Sequence, residues 1–384
     1  MSHQPEYDYA IAGMGCAGLS LAIQLSRSTL SFSKILVLDK EFKNKNDRTW
    51  CFWTKEAPAW YDAMVYKTWD QFRFVAPGFQ KKFALAPYQY KLIRGIDFYT
   101  YCLDELKKDP RFVFVQDELL SLSTHEDLAE IKCLGGTYRS SLVFNSALRV
   151  QNIKINHVNY VQHFVGWVVE TQTACFDEYC PVFMDFNTDQ ENDFRFFYVI
   201  PYSKTKALIE YTGFSQSPLL AEVYNQKLKS YLEENHPAVP YTVLETETGQ
   251  IPMAESVFVN PYGKRVINIG TAGGHSKPST GYTFYFIQKY TAHLISQMEK
   301  GKAIPIEPKR KNRFVFYDKV MLDVLHQKKQ EGRAIFTELF KKNKIETLLD
   351  FLNEDSGVAA ELKITGSMRS RFFLISALKK LFAL

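Results

Sequence analysis

Apolar positions along this chain follow two periods. YDYAIA (7–12) and KILVLDK (34–40) are short, nearly continuous apolar runs, while GMGCAGLSLAIQLSR between them is a glycine turn followed by apolar residues at helical spacing. Strand, glycine turn, helix and strand in that order predict a βαβ unit. A Trp/Phe-rich loop, DRTWCFW (47–53), comes next, then a strand over 70–75 and a helix over GIDFYTYCLDELKK (95–108). Strand-like runs at 111–115, 130–134 and 141–145 follow.

From about 150 to 260 the pattern changes to strands separated by turn signals: FVGWVVE (164–170), PVFMDF (181–186), DFRFFYVIP (193–201) and KALIEYTGF (206–214), with one helical segment near 217–234. RVINIGTAGG (265–274) returns to a buried strand and a glycine turn, GYTFYFIQKYTAHLISQMEKG (281–301) continues as helix, and the rest is mainly helical. The expected fold is α/β. A Rossmann-like domain (1–60, 90–150 and 262–300) carries an inserted antiparallel β-sheet domain (61–89 and 151–261), followed by a helical region (301–384). There are no internal repeats and no low-complexity linker.

One strand holds an unexpected carboxylate. In ALIEYTGF (207–214), Glu210 shares its face with Leu208, Thr212 and Phe214, while Tyr211 points the other way with Ile209. By parity alone this is either a solvent-facing strand glutamate or an acid set beside apolar groups.

Composition narrows the classes. With 384 residues and 46% hydrophobic content, the chain can fill the cores of two domains. The net charge of +5 is mild and no basic ladder is interleaved with stacking aromatics, which argues against a nucleic-acid partner. Basic runs do gather late, in KRKNR (309–313), HQKKQ (326–330) and FKKNK (340–344), as a solvated helical surface or a face for an anionic membrane. The six cysteines lack CxxC spacing, which argues against a zinc site and a disulfide framework and predicts a reducing, cytoplasmic setting. The N-terminus has no basic segment leading into an apolar core, and no run of 18 apolar residues occurs, so the expectation is a protein that is neither exported nor membrane-spanning, although it can sit on a membrane.

Gly13-Met-Gly15-Cys-Ala-Gly18 is G-x-G-x-x-G between a strand and a helix. Gly13 permits the tight turn, Gly15 lets the backbone approach a pyrophosphate, Gly18 packs helix on strand, and the helix N-terminus supplies amide donors. Asp39, about 21 residues beyond Gly18, ends the second strand where a ribose hydroxyl needs an acceptor, with Lys40 beside it. NAD and FAD share this half-site. A second glycine-rich turn after a long β insertion, with Gly270, Gly274, Gly281 and Tyr282 as candidate contacts, favours FAD over a second helix-terminal turn without a ligand.

Six collinear segments carry a family resemblance: DRTWCFW, VQHFVGWVVET (161–171), PVFMDF, RFFYVIPYSKTKALIEYTGFS (195–215), ETGQIPM (247–253) and IGTAGGHSKPSTGYTF (269–284). Over most of its length the chain resembles the FAD-dependent lycopene β-cyclases of the bacterial and plant carotenoid pathways. The resemblance implies conversion of linear lycopene to β-carotene through a monocyclic intermediate. A proton adds to the terminal alkene, the tertiary cation is attacked by the neighbouring double bond, and a different proton leaves, with no net electron transfer.

Such chemistry needs an acid kept protonated by desolvation, shielding and stabilisation of cations, and entry for a long hydrocarbon. Glu210 occupies the first acid position of the family's Glu-acid-Thr motif, whereas Tyr211 replaces the second acid. Asp47, Asp185 and Glu247 are further candidate acids, each equally suited to capping a turn. Arg48 is a cofactor candidate by resemblance to flavoproteins with an arginine after the second strand. Reduced flavin, primed by NAD(P)H, and the faces of Trp50, Phe52 and Trp53 would stabilise cations, although these rings also suit core or lid packing. The aliphatic stripe Leu374, Leu378, Leu381 and Phe382, interspersed with Arg369, Arg371, Lys379 and Lys380, suits an interfacial helix or an ordinary bundle helix. The competing classes are an FAD-dependent monooxygenase or desaturase, and a non-catalytic flavin- or carotenoid-binding protein.

Overall fold

The computed structural model describes residues 6–55, 58–125, 127–147, 153–258, 260–304, 310–327, 331–368 and 370–382. The chain opens with the βαβ unit: β1 (Tyr7–Ala12), α1 (Cys16–Arg27) and β2 (Ile35–Asp39). Next come β3 (Thr49–Thr54), β4 (Lys67–Trp69), β5 (Gln71–Ala76), β6 (Phe79–Ala84), β7 (Gln89–Arg94) and α2 (Gly95–Leu106). Four strands, β8 (Phe112–Gln116), β9 (Leu119–His125), β10 (Leu128–Cys133) and β11 (Thr137–Asn145), precede the long β12 (Ile153–Thr171). β13 (Val182–Asp185), β14 (Phe194–Pro201), β15 (Lys206–Ser215), α3 (Ala221–Asn235) and β16 (Tyr241–Phe258) follow. After β17 (Val266–Asn268) and a 3₁₀ turn at Gly270–Gly273 the chain is helical: α4 (Phe284–Glu299), α5 (Asn312–Gln327), α6 (Gly332–Lys342), α7 (Ile345–Leu352), α8 (Val358–Ser367) and α9 (Ser370–Phe382).

The first sheet has the order β8-β2-β1-β11-β10-β9, with β17 also paired to β11. Its β8, β2, β1, β11 and β17 are parallel, and β9 and β10 close it as an antiparallel edge. Period-two alternation divides the core. Ile11, Ile35 and Val37 pack beneath α1, α2 and α4 with Leu19, Phe98 and Leu294, whereas Ala10, Leu36 and Leu38 pack on the other face with Leu122 and Ile131. Burial on both faces explains why β1 and β2 read as continuous apolar runs.

The second sheet has the order β16-β12-β15-β14-β13-β5-β6. It is antiparallel except where β13 lies parallel to β5, because the chain places β5 and β6 first and returns to their open edge only after building the first sheet. On one face Ile209, Tyr211 and Phe197 pack under α3 with Tyr224 and Leu228. On the other, Leu208, Phe214 and Phe183 meet Leu322, Phe336 and Phe340 of the C-terminal helices.

DRTWCFW is not a loop. Residues 49–54 form β3, paired antiparallel with β7 in a three-stranded sheet with β4. The segment is apolar on both sides because it runs between two cores: Phe52 belongs to the core under the first sheet and Trp53 to the core of the second.

Candidate active site

The first glycine turn is shaped by contact distances. Gly13 has φ +106°, and a Cβ there would lie 2.2 Å from Ser146 Oγ; at Gly18 it would lie 1.9 Å from Gly13 O. Above Gly15, no described heavy atom comes within 4 Å. The N-terminus of α1 beside it has no side-chain cap among the described residues, so its amides face open space. Asp39 Oδ2 accepts the Met14 N–H at 2.7 Å, which fixes the carboxylate at the end of β2, and Lys40 lies exposed next to it.

The second glycine segment returns to this place. A Cβ on Gly270 (φ +63°) would lie 2.6 Å from Ala17 Cβ, so the 3₁₀ turn packs directly on the first turn of α1. Gly274, at φ +75°, closes that turn in the left-handed region. Gly281 (φ +70°) is pressed against the Gln162 amide: a Cβ would lie 2.0 Å from Gln162 Oε1. Gln162 Oε1 and Thr280 Oγ1 are buried without a hydrogen-bond partner among the described residues. Unused polar atoms at one turn, free helix amides at the other and a cleared space over Gly15 together suit an extended dinucleotide carrying phosphates and a polar ring.

The acid lies on the adjoining sheet. In register, Glu210 of β15 pairs with Tyr198 of β14 on one side and with Gly166 of β12 on the other, and Gly166 in turn pairs with Glu247 of β16. All four residues therefore face the same way. A Cβ on Gly166 would lie 2.8 Å from Leu208 Cδ1, 3.2 Å from Glu247 Cγ and 3.6 Å from Glu210 Cβ, so the two glutamates and Leu208 close over a position with no side chain. Thr212 donates its hydroxyl to Glu210 Oε1 at 2.7 Å, and Thr49 of β3 donates to Glu247 Oε2 at 2.7 Å.

Burial dominates the chemistry of both groups. Loss of solvation, followed by repulsion from Glu247, pushes the Glu210 carboxyl from 4.5 up to about 8, against a small lowering by Thr212. Desolvation likewise raises Glu247 to about 7, opposed by the Thr49 hydrogen bond and the Arg48 charge. Glu210 is deep in the protein yet keeps part of its surface accessible, as expected of a group that borders internal space. Tyr198 lies beside it and within reach of Tyr282, and Cys51 lies close to both glutamates. Desolvation raises Tyr198 well above the ordinary tyrosine range and pushes Cys51 up to about 12, so both stay neutral.

Tyr282 joins the two halves, since it follows the Gly281 turn and meets Trp53 edge-on at 4.9 Å between ring centroids. Phe52 stacks on Phe284 at 4.6 Å and Trp50 approaches the same ring at 5.9 Å, at the N-terminus of α4. Of the three aromatics of DRTWCFW only Trp53 shares the β3 face of Thr49 and Cys51 toward the acid sheet, whereas Trp50 and Phe52 point into the core under the first sheet.

The other candidate acids separate. Asp47 accepts the Tyr99 hydroxyl at 2.9 Å, while Arg48 donates to the backbone carbonyls of Asp47 at 2.6 Å and Thr248 at 3.0 Å; both charges act on Glu247. Asp185 is not brought to this place. It accepts the Tyr231 hydroxyl at 2.9 Å, and this tyrosine packs with Phe197 and Tyr211 under α3, on the face of the sheet opposite Glu210. Tyr211, at the motif's second acid position, is buried on that same far face, 4.7 Å from the Phe197 ring. The carboxyl near Glu210 comes instead from Glu247, two strands away. Its signals in the sequence were a glycine inside the strand FVGWVVE and the alternating acids of ETETG.

A Rossmann-like glycine turn joined to a second sheet is the architecture of flavoproteins, and solved structures share it. The chain superposes on a flavoprotein/dehydrogenase from Cytophaga hutchinsonii with a TM-score of 0.65, at 11% identity, covering 98% of this chain and 100% of the other. It also superposes on a geranylgeranyl bacteriochlorophyll reductase-like protein from Thermoplasma acidophilum, with a TM-score of 0.61 at 13% identity and 98% of each chain covered. Within that class the sequence is more specific. Residues 8–378 match the family model "Lycopene cyclase protein", and the chain belongs to that family. It is also 24% identical, over 73% of its length and 72% of the relative's, to a lycopene beta-cyclase of Pantoea ananas.

Proposed function

We propose that this protein is a lycopene β-cyclase that converts linear lycopene to β-carotene, through the monocyclic intermediate, by acid-initiated and redox-neutral ring closure. The observation that carries the proposal is Glu210: a carboxyl held neutral by burial, paired across the sheet with Tyr198, which in turn reaches Tyr282 of the turn suited to a flavin. A carboxylic acid that keeps its proton at neutral pH can protonate an alkene, and the aromatic faces around it stabilise the cation that results.

The cofactor proposed is FAD in its reduced form. Gly13, Gly15 and the α1 amides would hold its pyrophosphate, Asp39 its ribose, and the Gly270 and Gly281 turns its remaining length. When bound, reduced flavin supplies a negative charge near N1 that opposes the developing cation, and NAD(P)H serves only to prime it. Every proton in the reaction is handled by the chain's own groups. Trp53, Phe183 and Leu208, packed in the core beside Glu210, exclude water that would otherwise quench the cation.

The substrate proposed is a bilayer hydrocarbon, so the protein would act on the cytoplasmic face of a membrane. No helix among the described residues is long and apolar enough to cross one. Leu374, Ile375 and Leu378 of α9 are 60%, 50% and 51% exposed, with Leu362 of α8 at 65%, and Lys379 and Lys380 follow in the last turn of α9. Arg369 lies outside the described residues, as do the side chains of Arg371, Leu381 and Phe382. Behind this apolar surface a cavity of about 340 Å³, lined by Phe316, Leu339, Phe351 and Leu374, reaches Thr280 next to the Gly281 turn. That path supports entry of a long chain from the membrane.

Expression in a lycopene-accumulating bacterium tests the proposal. Wild type should yield mono- and bicyclic carotenoids by chromatography, and Glu210→Gln should leave lycopene unchanged. Oxygenated or further desaturated pigment, or unchanged lycopene with the wild type, would overturn it.

A further inference from the structure

The reaction needs a proton donor and, moments later, a proton acceptor. Glu210 by itself supplies only the first. The register across β14, β15, β12 and β16 places a second carboxyl, Glu247, over the same bare position, with Gly166 between them.

We propose that Glu247 is the working partner of Glu210: the two carboxyls, which flank Gly166, carry one proton in all, resident on Glu210, and after donating it they become the base that removes the final proton. The inference rests on the cyclase reading above.

The balance is as follows. The proton leaves Glu210 and forms the new C–H bond at the terminal alkene, leaving both carboxylates ionised in a desolvated place. Ring closure moves the positive charge to a ring carbon. A neighbouring C–H bond then breaks, its electron pair forms the ring alkene, and its proton returns to the pair. Nothing is oxidised or reduced, and the pair ends as it began. Two like charges so close in low dielectric cannot persist, so the ionised pair is a far stronger base than one carboxylate.

Three features make Glu247 more than a packing residue. Gly166 spares the space that any side chain would fill between the acids. Each carboxyl has its own fixed hydroxyl donor, Thr212 for Glu210 and Thr49 for Glu247, so each has an oriented oxygen without borrowing the other's. Glu247 also adjoins the positive charge of Arg48, which favours its ionised form against the opposing charges of Glu245 and Asp47, whereas desolvation and the charge of Glu247 both raise Glu210. The single proton therefore resides on Glu210, where the substrate needs it.

The other groups facing the pair are Tyr198 from β14 and Cys51 from β3, both held neutral by burial, with Tyr90 of β7 and Tyr282 of the turn behind them. Tyr202, Asp47 and Glu245 face Glu247. Removing Glu247 thus removes the charge that acts most strongly on Glu210.

Infrared difference spectroscopy of the purified, flavin-loaded protein, titrated without carotenoid, reads the pair independently of turnover. Wild type should lose carboxylic-acid signal in two separated steps, with one proton retained through neutral pH. In Glu247→Gln, the remaining Glu210 step should fall by about one pH unit or more, since no ionised neighbour opposes it. The alkaline limb of the cyclase pH profile should fall with it. Glu247→Asp should restore both. A Glu210 titration unmoved in Glu247→Gln, or a loss of activity that leaves the alkaline limb in place, would overturn the pair. Failure of the wild type to cyclise lycopene would instead overturn the cyclase reading, and the titration would still decide whether the two carboxyls carry one proton in all.

Discussion

Glu210 and Glu247 belong to strands that never touch, yet they close over one point, because the strand between them presents Gly166 and nothing more. A glycine in the interior of a central strand costs packing and backbone entropy, and here the space it leaves is occupied by the flanking acids. The active place of the sheet is thus specified partly by a missing side chain.

Gly166→Ala follows directly. The new methyl would lie 2.8 Å from Leu208 Cδ1, a flexible end that can swing, and 3.2 Å from Glu247 Cγ, which is tied to Thr49. Overpacking of this size should cost about 1–3 kcal/mol of stability. Cyclisation should fall by at least about tenfold, since the wedge separates the acids, a displacement worth about 1.4 kcal/mol or more in the barrier. Urea unfolding and product yield, measured on the same preparation, separate the two effects.

Stability should depend on pH with a defined sign. Glu210 in the folded protein binds its proton more tightly than the unfolded chain does, so its contribution is complete below pH 4.5 and is lost as pH rises toward about 8. Asp185, raised by desolvation on the far face of the sheet, acts in the same direction. Unfolding midpoints should therefore fall from mildly acidic to alkaline pH, and Glu210→Gln should flatten the fall. A variant whose slope matches wild type would show that Glu210 is not raised.

The glycine turn offers a variant that should fold without its cofactor. Gly15 borders open space, so Gly15→Val adds bulk only where a pyrophosphate would lie, whereas alanine at Gly13 or Gly18 collides with the chain itself. Gly15→Val should purify with a near-normal melting temperature but little flavin absorbance. Gly18→Ala should lower the melting temperature. Full flavin retention in Gly15→Val would contradict the placement.

Membrane docking is testable on α9. Replacing Ile375 and Leu378 with Glu puts charge on an exposed apolar face without touching the residues that line the cavity. Co-sedimentation with anionic vesicles should drop several-fold while activity on detergent-dispersed lycopene persists. Unchanged sedimentation would place the membrane contact elsewhere.

What could be read from the sequence was local. The glycine turn, the buried strands β1 and β2 and the parity of ALIEYTGF each depend on neighbours a few residues apart, and Glu210 does share a face with Leu208, Thr212 and Phe214, opposite Tyr211 and Ile209. DRTWCFW was misjudged as a loop because its apolar residues serve two cores and lack a one-sided pattern. Sequence pattern does not separate Glu247 from Asp47 and Asp185. Which acid meets Glu210 depends on strand order and register, so Glu247 arrives from two strands away and Asp185, on β13, ends on the wrong face.

The most direct test is a single-turnover reaction in D₂O, with enzyme in excess over lycopene and the flavin reduced beforehand. The account predicts β-carotene carrying one deuterium for each ring closed, no net consumption of reductant, and no product from Glu210→Gln. Product without deuterium, product formed only with stoichiometric reductant or oxygen, or full activity of Glu210→Gln would contradict it.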